Sequence, residues 1–161
     1  MFYLFFIKLL IWTVMYLVAP RTLFTESCST LLYSSEGQLL GARIAPDGQW
    51  RFPPADSIPE KFTTCLLVYE DKRFYRHPGV DPIALARAVR LNFTARRVVS
   101  GGSTVTMQLA RIARGNRNRT LYEKAVETSW ALLLETAYSK NEILNLYASH
   151  APFGGNVVGI E

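Results

Sequence analysis

Cysteine is scarce in this chain of 161 residues: there are two, Cys28 and Cys65. No CxxC pair and no Cys/His cluster is present, which excludes the common structural zinc sites. A single disulfide is the most that two thiols allow, and a pair of small core hydrophobes is the plainer expectation. Charge is also in short supply. Charged residues make up 19% of the chain and hydrophobic residues 49%, a balance that excludes a disordered tail or a collagen-like repeat. Acidic residues are the rarer sign, 13 against 18 basic ones, for a net charge of +5. That excess favours anionic partners, nucleic acid or membrane phosphates, without choosing between them. A Walker-type phosphate loop, a recognised nucleic-acid motif, internal repeats and low-complexity tracts are all missing.

Long apolar runs are confined to one place. Residues 1–19, MFYLFFIKLLIWTVMYLVA, are apolar throughout except for Lys8. A helix crossing a bilayer needs about 20 such residues. Tyr3, Trp12 and Tyr16 suit the interface, and Lys8 would have to snorkel. A cleaved signal peptide competes with this reading, but no basic stretch precedes the run and no small-x-small site follows it. The expectation is an uncleaved transmembrane anchor over 1–19, with the remainder on one side of the membrane. Such an anchor speaks against nucleic acid as the partner.

Residues 20–56 read as a linker and small β element. A polar connector over 20–29 precedes short apolar runs punctuated by Glu36-Gly37 and Asp47-Gly48, which predict a β-hairpin element over 30–53. From Ser57 the period becomes helical. Pro59 opens a helix expected to reach Phe74, where His77-Pro78-Gly79 interrupts it. Asp81 and Pro82 start a second helix running to about Asn92. Gly101-Gly102-Ser103 introduces a third. A basic loop, Arg114 to Arg119, leads to a long fourth. Ser139 and Glu142 form a capping box for a fifth that ends near Ser149. The final stretch, APFGGNVVGIE, reads as a glycine-rich loop.

Two carboxylates stand out because of their neighbours. Glu70 has Leu66, Leu67 and Phe74 at helical spacing, an apolar setting that raises proton affinity and suits a general base. The competing reading is a boundary glutamate paired with Lys72 or Arg73. Glu127 shares a helical stripe with Trp130, Ala131 and Leu134, and has Lys124 one turn earlier, so a plain ion pair competes there too. Two such carboxylates suit sugar chemistry, with one group on the attacking side and one on the leaving side. In the third helix Val105, Leu109 and Ile112 should face the core, while Thr104, Gln108 and Arg111 share another face. Gly101, Gly102 and Ser103 would leave backbone N–H groups open to an anion, with Arg111 and Lys124 adding charge. Helix punctuation explains the glycines equally well. Arg87, Arg90, Arg96, Arg97, Arg114, Arg117 and Arg119 read as solvated faces, a few of them touching anionic headgroups.

Taken in order, four segments resemble the glycosyltransferase domain of class A penicillin-binding proteins and monofunctional peptidoglycan glycosyltransferases. They are EDKRFYRHPGVD at 70–81, GGSTVTMQLAR at 101–111, Lys124 through Glu127, Glu135 and Tyr138-Ser139-Lys140 to Leu144, and Phe153-Gly154 with Gly159-Ile160-Glu161. The resemblance spans about residues 30–161. Met107, Arg111, the Asp47 to Arg51 segment and the Ala151 to Gly155 segment are most similar to the penicillin-binding protein 1C branch. Glu123 before Lys124 and Tyr147-Ala148-Ser149 depart from the usual pattern, which removes an arginine and an asparagine amide.

The resemblance implies a mainly α, lysozyme-like glycosyltransferase domain, behind the transmembrane helix and the β-hairpin element. Residues 57–161 would be its N-terminal part, since family members continue with further helices and class A members add a transpeptidase domain. No SxxK motif is present. The implied reaction polymerises lipid II into β-1,4-linked glycan with release of the lipid pyrophosphate. Glu70 would be the general base, and Glu127 would assist the leaving group, directly or through a divalent metal (Mg or Mn). Ser103, Thr104, Gln108, Arg111 and Lys124 would hold the donor, with Gly101 and Gly102 beside them, while Asp71, Phe74, His77 and Gly79 shape the site. Implied partners are lipid II, the growing glycan, the inner membrane and cell-wall synthesis proteins. The implied location is the bacterial inner membrane, single-pass, with the catalytic part on the periplasmic side. Alternatives are a catalytically silent anchored module and a lysozyme-like hydrolase.

Overall fold

The computed structural model describes residues 10, 12–53, 57–115 and 120–160. Most of the expected anchor therefore lies outside the described residues, as do Arg117, Arg119 and Glu161. Residues 12–18 are helical. Trp12 stacks on Tyr16, and the Arg21 guanidinium lies 4.2 Å from the Tyr16 ring centre. Among the described residues no helix is long and apolar enough to cross a membrane.

The expected hairpin is present. Strand β1 (Thr30–Tyr33) pairs antiparallel with β2 (Leu39–Arg43), Thr30 opposite Arg43. Its turn is tied by the Ser34 hydroxyl, which accepts from the N–H groups of Glu36 and Gln38. The next strand departs from expectation. Strand β3 (Trp50–Arg51) leaves the hairpin and runs parallel to β5 (Val157–Val158), which pairs antiparallel with β4 (Pro152–Gly154). What read as a glycine-rich loop thus contains two strands. They are too short for an alternating pattern to show. Arg51, buried on β3, binds the connector through Ser27 O at 2.9 Å and reaches Asp47 at 3.0 Å.

Helix α1 (Glu60–Glu70) stops before Phe74, because Asp71 turns its carboxylate inward and Phe74 enters a 3-10 turn with its ring buried. Helix α2 (Pro82–Ala95) is capped as expected: Asp81 accepts from the N–H groups of Ile83 and Ala84. It runs past Asn92, whose side chain instead ties the following loop at Val99 and Ser100. Helix α3 (Val105–Ala113) takes Thr104 as its cap, not Ser103. Helix α4 (Leu121–Ala137) starts at Thr120. Helix α5 (Lys140–His150) opens with the expected capping box, both hydrogen bonds made.

Helices α3, α4 and α5 share the core. Val105, Leu109, Leu134 and Ile143 are wholly inaccessible, with Phe74 inserted among them and Ile112 packed at the edge. Helix α1 buries nothing and α2 buries only Ala88. Cys65 is exposed on α1 and Cys28 is exposed in the connector, both free, which corrects the expectation of buried thiols. The connector is also less polar in practice than in composition. Phe24 stacks on His150 and Tyr138 donates to Pro20 O at 2.9 Å, so this segment is docked on the helices.

Gly79 is required by two independent constraints. Its φ is +85°, and a methyl group there would lie 2.7 Å from the Ala131 carbonyl oxygen. Gly79→Ala should lower unfolding stability by about 2 kcal/mol or more. A urea melt with an unchanged midpoint would contradict this account.

Candidate active site

The site is built on the start and outward face of α3. Thr104, buried, donates its hydroxyl to Gly79 O at 2.5 Å and accepts from the Met107 N–H. Asp71 is buried beside it: Oδ2 accepts from the Val105 N–H at 3.1 Å, and Oδ1 meets His77 Nε2 at 2.9 Å. A carboxylate at a helix start is favoured by the helix dipole, which offsets part of its burial cost. The N–H groups of Val105 and Met107 in the first turn of α3 are therefore taken by protein oxygens. Gly102 is buried as well, and a Cβ there would meet Leu85 of α2 at 2.8 Å. The close approach to Leu85 fixes how the Gly101-Gly102-Ser103 segment enters α3.

Side chains supply the charge instead. Residues one turn apart on α3 share a face, about 4.5 Å apart along the axis. Gln108 and Arg111 are such a pair, and each reaches one of the two singled-out glutamates. Gln108 Nε2 donates to Glu70 Oε2 at 2.7 Å. Arg111 Nε lies 3.8 Å from Glu127 Oε1 and is buried without a hydrogen-bond partner. Lys124 Nζ lies 3.3 Å from the other Glu127 oxygen and 2.5 Å from Ser103 Oγ. Glu127 is buried, so its charge depends on those two cations.

Phe74 and His77 lie beneath this face, buried with Asp71, and the fully exposed Gly101 lies beyond it. Glu70 and Glu127 meet the same helix face with Gln108, Arg111, Lys124 and Ser103. Two contributions had no role assigned from the sequence, although Glu135 and Lys140 stand in its third segment. Tyr147 of α5, buried, donates its hydroxyl to Gln108 Oε1 at 3.1 Å. Glu135 accepts from Thr106 at 2.6 Å and pairs with Lys140 at 2.7 Å, and Lys140 also donates to His77 O. An aromatic at core spacing in α5 carries no sign that its hydroxyl reaches α3. Burial pushes the Tyr147 phenol above its ordinary pKa, and the nearby Glu70 charge adds to that. It is therefore a hydrogen-bond donor across the working pH range.

Asp71, His77 and Asp81 have potential metal-ligating atoms within 4.8 Å of one another. Their carboxylate oxygens already have protein partners, while His77 Nδ1 is buried without a hydrogen-bond partner. Asp71 serves His77 and Val105, while Asp81 caps α2 and binds Arg73. Glu127 sits between two cations, so among the described residues no carboxylate set fits a divalent ion at this face without displacing protein partners.

Comparison with known proteins places the chain in a family. Residues 36–161 match the Transglycosylase family profile. The chain is 39% identical over 142 residues to penicillin-binding protein 1C of Escherichia coli (strain K12), covering 88% of this chain and 18% of that protein. It is 35% identical over 130 residues to penicillin-binding protein 1A of Aquifex aeolicus (strain VF5), covering 81% of this chain and 18% of that protein. Identity to penicillin-binding protein 1B of Vibrio cholerae (serotype O1, strain ATCC 39315 / El Tor Inaba N16961) is 43% over 99 residues, or 62% of this chain and 13% of that protein. The helical fold and the α3 face thus define a glycosyltransferase-type domain. The chain belongs to the transglycosylase family, among the glycosyltransferase domains of class A penicillin-binding proteins. It spans under a fifth of the length of these curated relatives.

Burial alone would raise the Asp81 carboxyl, but the N–H groups of Ala84 and Ile83 and the Arg73 guanidinium outweigh it and hold it below the usual carboxylate range. A lowered folded-state value means that the stabilisation is present above the unfolded-state value, about pH 3.9, and fades as pH falls through the folded one. Asp81→Asn should therefore be less stable than wild type at pH 7, with the gap closing below about pH 4. Circular dichroism melts across that range would show it, and a pH-independent gap would refute the linkage.

Proposed function

We propose that this chain is a peptidoglycan glycosyltransferase domain that elongates glycan strands from lipid II, with Glu70 as general base. The observation that carries this reading is the division of labour on one face of α3. Glu70 meets a neutral amide through Gln108, and Glu127 is held between Arg111 and Lys124 one turn further on. In the reaction, Glu70 takes the proton from the acceptor's sugar 4-hydroxyl as that oxygen attacks the anomeric carbon of the growing chain. The bond from that carbon to the lipid pyrophosphate breaks on the opposite side, which inverts an α-linked donor into a β-1,4 linkage.

Negative charge on the departing pyrophosphate needs preorganised cations nearby. Arg111 and Lys124 fill that role, and Glu127 assists by fixing them against the helix. The buried Arg111 Nε, without a hydrogen-bond partner, supports an anionic oxygen as its missing companion. Ser103 steadies Lys124, and Asp71, His77, Phe74 and Gly79 shape the site from below through the start of α3. The two cations supply positive charge of the kind a divalent metal (Mg or Mn) at the pyrophosphate would bring. The rest of the assignment follows the family: the N-terminal part of a lysozyme-like domain over 57–161, behind the linker and β element of 20–56 and an anchor at 1–19, facing the periplasm.

Contact with the inner membrane has support on α2. Ile83, Val89 and Phe93 are exposed there, and Val98 in the following loop is too. They alternate with Arg87, Arg90, Arg96 and Arg97, with no acid between Pro82 and Thr104. Pro82, Leu85, Ala86, Val89, Arg90 and Phe93 line a shallow apolar groove of about 560 Å³. Apolar side chains flanked by arginines suit the boundary between acyl chains and anionic headgroups.

Glu70→Gln should lower lipid II polymerisation by about 10²–10⁴-fold while leaving lipid II binding nearly unchanged. Arg111→Ala should weaken donor binding as well as turnover. Normal polymerisation by Glu70→Gln would remove the proposed base. Binding of lipid II without elongation by the wild-type chain would instead favour the silent anchored module, and digestion of finished glycan would favour a hydrolase.

A further inference from the structure

Glu70 lies at the last turn of a helix that buries none of its residues. Among the described residues its carboxylate has a single hydrogen-bond partner, the Gln108 amide. Whatever fixes that amide therefore fixes the carboxylate. A primary amide can rotate end for end at little intrinsic cost, and the two orientations are chemically opposite. With Nε2 toward Glu70 it donates; with Oε1 there, two acceptors would face each other. The other end of Gln108 meets the Tyr147 hydroxyl at 3.1 Å. Tyr147 is anchored in the core by its neighbours Ile143, Leu144 and Ala148, and its ring is buried.

We infer that Tyr147 is a positioning residue for the proposed base: its hydroxyl, donated to Gln108 Oε1, locks the amide so that Nε2 holds Glu70. The inference rests on the proposed function, in which Glu70 is the base. The line of contacts runs from α5 through α3 to α1. It gives the loosely packed end of α1 a fixed reference in the core formed by α3, α4 and α5. The Tyr147 phenol stays protonated because burial raises its pKa, so its proton is available for this bond. No proton travels along the line, since an amide does not relay one here. The role is orientation alone.

The test is Tyr147→Phe in the full chain, which removes one oxygen and keeps the ring in the core. Lipid II polymerisation should fall about tenfold in kcat, equivalent to about 1.4 kcal/mol, with KM changed less than about twofold. The acidic limb of the pH–rate profile should move to higher pH, because the carboxylate loses part of its hydrogen-bonded support. Added to Glu70→Gln, the substitution should cost nothing further. A second measurement does not need turnover: the side-chain amide NMR signals of Gln108 should be separated and slowly exchanging in wild type, and should collapse toward free-amide positions in Tyr147→Phe.

Unchanged Gln108 signals in the variant would overturn the inference, as would a wild-type kcat and pH profile. Failure of the underlying reading has a different signature. If Glu70→Gln polymerises normally, the base assignment falls while the amide signals still report whether Tyr147 holds Gln108. A loss of melting temperature with unchanged Gln108 signals would mark Tyr147 as a packing residue only.

Discussion

A single buried carboxylate, that of Asp71, decides where α3 begins, and the site is laid out from that point. One of its oxygens takes the first N–H of the helix and the other holds His77. Burying an ion is costly, and here the cost is offset by the helix dipole and two hydrogen bonds. The same residue ends α1, because turning its side chain inward is incompatible with another helical turn. Glu70 therefore sits one residue from the pin. The end of α1 and the start of α3 are brought together by the Asp71 carboxylate, with Leu66 and Leu67 of α1 partly buried against the core.

That arrangement divides the domain into unequal parts. Helices α3, α4 and α5 interlock through Val105, Leu109, Leu134 and Ile143. Helices α1 and α2 lie at the edge of that core: α1 adds Leu66 and Leu67 to it and is tied through Asp71 and Gln108, while α2 is held by the cap at Asp81 and the close approach of Gly102 to Leu85. Segments with few buried apolar contacts open locally at lower free energy than the core. On the proposed function, admitting a bulky lipid-linked donor and releasing a growing strand would benefit from compliant outer elements. The charged and amide groups of the site nevertheless project from α3 and α4, which belong to the rigid part.

Much of this layout was legible in the sequence, and the exceptions have physical causes. The helices from Pro59 onward, the Asp81 and Ser139 caps, the hairpin, and the core face of α3 all rest on local spacing, which a sequence displays directly. Glu127 with Lys124 was equally visible, since both lie on one helix three residues apart. The early end of α1 was not, because the apolar stripe through Leu66, Leu67 and Phe74 continues whether or not the backbone does. Nor was the consumption of the α3 amides, which depends on Asp71 arriving from 34 positions earlier. Strands of two and three residues carry no period, so β3, β4 and β5 were hidden. Tyr147 was hidden for a different reason: one atom of an otherwise apolar side chain does the work, and spacing reports only the ring.

The two glutamates show why environment, more than identity, assigns roles on this face. Glu127 is buried and bracketed, with one cation on each oxygen. Its negative charge is already spent on arranging Arg111 and Lys124, which without it would repel each other across a half-buried space. A proton transferred to Glu127 would release both cations from their counterion, so this group is poorly suited to shuttle protons and well suited to hold charge in place. Glu70 has the reverse setting. Its partner is a neutral amide, no cation is paired with it among the described residues, and it lies half-buried at the end of α1. Accepting a proton there disturbs one hydrogen bond and leaves the electrostatic frame of the site intact. The α3 face that both glutamates meet can therefore keep the charge-holding half of the proposed reaction fixed while the proton-accepting half changes state.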